Sequence, residues 1–291
     1  MVDRGTLPLF SAAGQLAADF VESAGNGRPE LGTEDATNYS FGIAFDLGNS
    51  SWTIDYYNIE VEDRVALGAN IDFLAALAST GGIAADDDGN YGAGYGSVSE
   101  ALTTLDAAGT IDRQQFVGLD DLKQFRFFSN SFDTTTSGVD VVGNIDFSLG
   151  DGESTITVAA NFNNTDVDSR GTVNPIGAGR VESLEDLLPS VKGNVAWRHS
   201  QGKIRTLVRA NYYGGWKDTG NGFDVGAETL FDAQVAYDLT DKAEVVLGVE
   251  NLFDAYPDEN PGAGGTGQLY PEASPFGFMG STWYVQGRYV F

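Results

Sequence analysis

The chain carries little with which to do covalent chemistry. It has no cysteine, so thiolate nucleophiles, disulfides and thiolate metal sites are all absent, and it has a single histidine, His199. A hydrolase built on this chain would need His199 as the base for a hydroxyl nucleophile. His199 precedes Ser200-Gln201-Gly202, a turn sequence, where a histidine serves equally well as a polar strand end. The other group with ligand chemistry is the run Asp86-Asp87-Asp88-Gly89-Asn90. Its carboxylates resemble a calcium loop, but the EF-hand spacing and closing glutamate are missing, so a solvated acidic loop is expected. No metal site, no cofactor and no enzyme activity are expected.

Charge removes further classes. The 42 acidic residues against 16 basic ones give a net charge of −26, which repels nucleic acid and excludes it as a partner. No run of about 18 apolar residues occurs, so no transmembrane helix is expected. The opening Met1-Val2-Asp3-Arg4 lacks the basic and apolar regions of a signal peptide, so either a cytosolic protein or a targeting signal upstream is expected, and the strand pattern below favours the second.

The elements that position these residues read as strands. Tyr39, Phe41, Ile43, Phe45 and Leu47 alternate with Ser40, Gly42, Ala44 and Asp46, and the run ends at Gly48-Asn49-Ser50. Trp52, Ile54 and Tyr56 continue an apolar face that then slips to Tyr57, Ile59 and Val61, a phase change that suggests a bulge. Residues 1–37 read as loop. Residues 64–121 form a long excursion with two short helices, Ile71 to Ala78 behind Asn70, and Val98 to Ala107 opened by Ser97 with Glu100 as a capping box. From Lys123 one long strand runs to Phe147 with Phe125 and Phe127 near its start; later strands carry Ile156 to Phe162, Val191 to Trp197 and Ile204 to Tyr212. A helical turn is expected at Glu182 to Leu188, and further strands at Phe231 to Leu239, Ala243 to Phe253 and Ser281 to Phe291.

Counted this way the chain has nine strands, and tight turns near 48, 151, 201 and 240 alternate with long connections. An up-and-down antiparallel sheet then has all its tight turns on one side and its long loops on the other. Short periplasmic turns, long extracellular loops and apolar–polar alternation together describe a transmembrane β-barrel. Lys203, Arg205 and Arg209 share one strand face, with Ile204, Val208 and Tyr212 on the other. A Lys or Arg facing lipid costs about 2–4 kcal/mol at the bilayer midplane, so the charged face looks into the lumen. A soluble sandwich is the alternative that alternation alone allows, but it does not account for the loop asymmetry. Nine is odd and single-chain bacterial barrels have an even number of strands, so an odd number is expected upstream. The closing strand is expected to be well formed only where those strands supply its second edge.

The segment Gly248-Val249-Glu250-Asn251-Leu252-Phe253-Asp254-Ala255-Tyr256-Pro257, then Tyr270-Pro271 and Pro275-Phe276-Gly277, and a final strand ending in Phe291, resembles the C-terminal end of TonB-dependent outer-membrane receptors. Asn38-Tyr39-Ser40, Asp55-Tyr56-Tyr57, Thr136-Ser137-Gly138-Val139-Asp140 and Arg209-Ala210-Asn211-Tyr212-Tyr213-Gly214 are similar to other parts of that family. The resemblance implies an all-β fold in which residues 38–291 are the C-terminal strands of a barrel of about 22 strands and residues 1–37 an extracellular loop region. It also implies a bacterial outer-membrane location among lipid, and a small-molecule ligand that the sequence does not identify: iron chelate, vitamin or oligosaccharide. TonB would act only through a plug and TonB box lying upstream. Trp283, Tyr289 and Phe291 on the closing strand are expected to be the signal read by the barrel assembly machinery. A passive porin and an outer-membrane hydrolase remain the alternatives.

Overall fold

The structure, a computed structural model, describes residues 4–82, 94–171, 173 and 175–291. In chain order the strands are β1 (Arg4–Thr6), β2 (Asp35–Leu47), β3 (Ser50–Leu67), β4 (Ile71–Asp72), β5 (Gln124–Arg126), β6 (Phe128–Leu149), β7 (Gly152–Ser169), β8 (Val191–Gln201), β9 (Ile204–Tyr213), β10 (Trp216–Asp218), β11 (Phe223–Val225), β12 (Glu228–Thr240), β13 (Ala243–Glu250) and β14 (Thr282–Tyr289). The helices are α1 (Ala12–Ser23), α2 (Phe73–Thr80), α3 (Val98–Ala107), α4 (Ala178–Glu185) and α5 (Ala263–Thr266). No helix among the described residues is long and apolar enough to cross a membrane.

Two compact units emerge, one from Asn38–Ile59, Thr136–Asp166 and Glu182–Phe291, the other from Met1–Thr37, Glu60–Thr135 and Val167–Val181. The first contains the nine-stranded sheet, ordered β14-β13-β12-β9-β8-β7-β6-β3-β2. Its tight turns are Gly48-Asn49, Gly150-Asp151, Gly202-Lys203 and Asp241-Lys242. In three of them the leading glycine has φ of +60°, +61° and +57°, which a two-residue hairpin turn demands and a side chain would resist. The fourth has no glycine. There the register shifts between Asp238 and Thr240, and the Thr240 hydroxyl accepts from the Lys242 and Ala243 amides at 3.2 and 3.1 Å.

Register fixes the two faces. Thr155, Arg198, Leu207, Gln234, Gly248 and Tyr284 form one row across the sheet, and Ile156, Trp197, Val208, Ala233, Val249 and Trp283 form the adjacent row on the opposite face. Rows of the first kind are largely polar and those of the second mostly apolar, Ser154, His199 and Thr206 near the turn end being the exception, as the alternation of Lys203, Arg205 and Arg209 requires. Val208→Arg is therefore expected to destabilise the protein by about 2–4 kcal/mol in bilayers, and Leu207→Arg by far less. Urea unfolding followed by tryptophan fluorescence measures both, and equal losses would reverse the face assignment.

The long strand from Phe128 to Leu149 is one unbroken element of 22 residues, as the turn count anticipates. Phe125 and Phe127 do not belong to it; both are fully buried in the second unit. Tyr57 also differs from expectation. Its hydroxyl accepts from Asn161 Nδ2 at 3.3 Å on the polar face, where a Cβ on Gly138 would fall 2.3 Å from that same hydroxyl oxygen. A tyrosine seated over a glycine accounts for an aromatic ring at this position on the polar face. Trp52 covers Gly143 and Tyr284 covers Gly248 in the same way. The closing strand β14 is fully formed on a single partner: it pairs along its length with β13, from Ala243↔Tyr289 to Glu250↔Thr282. Eight consecutive residue pairs on one edge suffice to hold it extended.

In the second unit, residues 1–37 are not loop throughout: α1 is capped by Ser11, whose hydroxyl accepts from Gly14 N at 3.1 Å, and β1 pairs in parallel with β5. Leu16, Phe73, Leu77, Leu102, Phe116, Phe125 and Phe127 meet in one apolar core. The helix expected behind Asn70 starts instead at Phe73, capped by Asp72 Oδ1 on Ala75 N at 2.8 Å. α3 has the bounds expected, with Ser97 capping Glu100 N at 3.2 Å and Glu100 accepting from Gly96 N at 2.9 Å. The acidic run 86–90 lies outside the described residues. The helical turn expected at Glu182 to Leu188 is α4, which begins earlier, at Ala178.

Candidate functional site

The polar face of the sheet is a ladder of paired side chains. Thr136 and Thr165 share a hydroxyl contact of 2.9 Å, Asn161 donates to Asp140 at 2.7 Å, Thr157 to Asn144 at 2.9 Å and Thr155 to Asp146 at 2.6 Å. Further along, Arg205 bridges Asp238 and Glu244. The neutral donors and the Asp238 pair join neighbouring strands, and the Glu244 contact reaches from β9 across β12 to β13, so wall carboxylates are held in fixed positions by cross-strand donors.

Asp232 is the most heavily used carboxylate on this face. Its Oδ2 accepts from Arg209 Nε and Nη2 at 2.9 and 2.8 Å and from Asn211 Nδ2 at 2.8 Å, while Oδ1 accepts from the Asn251 amide at 2.9 Å. With four donors the residue is only 8% exposed and its carboxylate remains fully satisfied. Above this group a recess of about 580 Å³ opens between the strand ends and residues 276–280 of the last long connection. Arg209, Asn211, Tyr213, Glu250, Phe276 and Phe278 are among its lining residues. A second recess of similar volume, at the tight-turn end, is lined by Lys203, Arg205, Asp238, Glu244 and Arg288.

Asn251-Leu252-Phe253-Asp254 gains a physical reason from Asp232. Asn251 and Asp254 take left-handed conformations with φ of +52° and +57°, which asparagine and aspartate tolerate better than most residues. The Asn251 side chain brackets Ala255, accepting from its amide at 2.9 Å and donating to its carbonyl at 2.8 Å. Leu252 N donates to Phe231 O at 2.6 Å, and the Phe253 ring stands edge-on to Phe231 at 5.4 Å. Asp254 Oδ1 accepts from Ser281 N at 2.8 Å and from the Tyr256 hydroxyl at 3.1 Å, which raises the Tyr256 pKa above its ordinary value. The motif thus clasps the end of β13 to the start of β14 across a connection of thirty-one residues, 251 to 281.

The family model described as "TonB dependent receptor-like, beta-barrel" matches residues 8–252. The chain belongs to the TonB-dependent receptor β-barrel family. It is accordingly an outer-membrane β-barrel protein of the Gram-negative type, and the polar face of its sheet is a lumen wall. Among solved structures, the FrpB iron transporter from Neisseria meningitidis is similar with a TM-score of 0.53 and 10% identity, over 89% of this chain and 31% of that one. The ferric enterobactin receptor of Pseudomonas aeruginosa gives a TM-score of 0.54 and 14% identity, over 89% and 31%, and the copper transporter OprC 0.51 and 12%, over 90% and 32%. The chain thus spans about a third of the length of these receptors. No curated protein sequence matches it.

In this TonB-dependent receptor barrel, Trp283 lies on the outer face opposite Val249 and Tyr289 opposite Ala243. The Tyr289 and Phe291 rings meet edge-on at 5.1 Å, and Val290 N donates to Lys242 O at 2.8 Å, so pairing continues past the strand end. His199 is not alone: Ser154 Oγ lies 2.9 Å from its Nδ1, and the imidazole stacks on Trp197 at 5.7 Å. The pair lies on the outer face beside the Gly202 turn, and among the described residues no carboxylate hydrogen-bonds the ring. Without an orienting acid the contact satisfies a buried serine hydroxyl rather than assembling a triad. The recess, and Asp232 as its hub, escaped sequence reading because both depend on which residue of β9 faces which residue of β12.

Proposed function

We propose that this chain forms the C-terminal lumen wall and part of the long extracellular connections of a TonB-dependent importer of a scarce small molecule, an iron chelate, a vitamin or an oligosaccharide. In this reading residues 38–291 supply barrel strands, and residues 1–37 lie on the extracellular side. The observation that supports it most directly is the ladder of cross-strand polar pairs, ion pairs among them, on one face of an otherwise lipid-compatible sheet, on a chain of this family. Such a wall suits a wide aqueous interior that holds other protein and passes a solute, whereas a sheet with one apolar core face would leave the ion pairs unexplained. Energy would come from TonB acting on a plug and TonB box elsewhere in the complete receptor. Trp283, Tyr289 and Phe291 are proposed as the signal recognised by the assembly machinery.

The test is uptake in cells with the receptor intact, using radiolabelled ferric chelates, vitamin B12 and oligosaccharides in turn. Uptake of one class is expected to saturate and to stop when the proton gradient is collapsed. Uptake that rises in proportion to concentration and ignores the uncoupler would favour a passive porin and overturn the importer reading.

A further inference from the structure

We propose that the recess at the long-loop end of the lumen wall binds a small organic cation with an apolar or aromatic body. Binding there does not depend on energised import, which concerns only the release and passage of a ligand already bound. On the strand side of the recess, two nitrogens of Arg209 are committed to Asp232 Oδ2, and Asp232 has no oxygen left without a donor. That pair is neutral as a unit, and the third guanidinium nitrogen is available to a ligand hydroxyl or carbonyl. The remaining charged lining residue is Glu250, exposed at the end of β13 and in no ion pair among the described residues. The recess therefore presents one uncompensated carboxylate.

The other wall is apolar. Phe276, Phe278 and Met279 line it, and Phe278 and Met279 are 53% and 84% exposed although they border a water-facing wall. The rings are held in place. Phe276 meets Tyr213 at 5.2 Å and stands perpendicular to Trp216 at 5.8 Å, while Phe278 stacks on Tyr270 at 6.1 Å and Tyr270 on Tyr256 at 5.4 Å. Aromatic faces beside a carboxylate attract a cation through ring quadrupole and charge together, and they repel an anion of the same size. The net charge of −26 adds a long-range field of the same sign. A volume of about 580 Å³ falls within the span of small-molecule sites.

The experiment is a fluorescence titration of the full chain in detergent with benzyltrimethylammonium, and in parallel with benzenesulfonate, a benzene ring of opposite charge. Trp216, in ring contact with Phe276, supplies the signal. The cation is expected to give a saturable change that weakens with added salt, and the sulfonate none. Glu250→Gln and Phe278→Ala should each weaken the cation about tenfold, an effect of the size that one favourable cation–π or charge contact supplies, with circular dichroism unchanged. Equal binding of the sulfonate, an unchanged Kd in Glu250→Gln, or no saturable binding by either probe would overturn the proposal. Energy-independent uptake in the cell assay would instead remove the importer reading while leaving this binding result standing.

Discussion

Replacing Asp232 with alanine is expected to destabilise the folded protein by about 3 kcal/mol, because it strips several partners at once. The Asn251 amide, buried just past the end of β13 and pointing at Oδ1, loses its acceptor, and the Asn211 amide and two Arg209 nitrogens lose theirs. Arg209, whose side chain is 42% exposed, and the half-buried Asn211 can turn to water, so the cost is less than that of a fully buried pair. Asp232→Asn keeps an acceptor for Asn251 but drops the charge, and should lose roughly half as much. Urea unfolding in detergent distinguishes the three proteins. Asp232→Ala as stable as the parent would mean that the clasp between β12 and β13 is held by backbone pairing alone.

The second large effect concerns assembly. Deleting Phe291 should reduce the amount of folded receptor in the outer membrane several-fold, with protein that does assemble binding ligand normally. The ring is fully exposed at the chain end and braced only by Tyr289, so its removal breaks no core contact. A loss of assembly would then reflect recognition of the strand end rather than stability. Heat-modifiable migration of outer-membrane fractions gives the assembled fraction, and normal insertion without Phe291 would defeat its role as a signal.

The sheet was legible in the sequence where the chemistry is local. Alternation assigns lipid and lumen faces along strands such as β8, β9, β12, β13 and β14, because a charge on the lipid face is too costly to be tolerated often. Glycine at a tight turn is equally local, since the turn's own backbone demands it. Helix α3 announced itself by Ser97 and Glu100, whereas α1 did not: its buried face is Ala13, Leu16, Ala17 and Ala18, and alanine marks an apolar stripe only weakly. Phe125 and Phe127 misled because alternate phenylalanines look alike in a lipid-facing strand and in a connection threading a small core. Of the candidate site, the Asn251 to Asp254 motif could be found but not explained. Its partners Asp232 and Ser281 lie on other parts of the chain, and only register brings them together.

Alternation forbids a slip of one residue between neighbouring strands but is blind to a slip of two, which returns every side chain to its proper face. The glycines beneath Trp52, Tyr57 and Tyr284 close that gap. A slip of two would bring Val141 or Ile145 under the Trp52 ring in place of Gly143, and Val246 or Glu250 under Tyr284 in place of Gly248. Each ring fits one socket, so these pairs act as index marks along the sheet, scattered over both of its faces. An alanine at Gly143 or Gly248 would put a Cβ 2.4 or 2.2 Å from the covering ring, and its signature would be alternative cross-strand pairings together with a lower midpoint of unfolding.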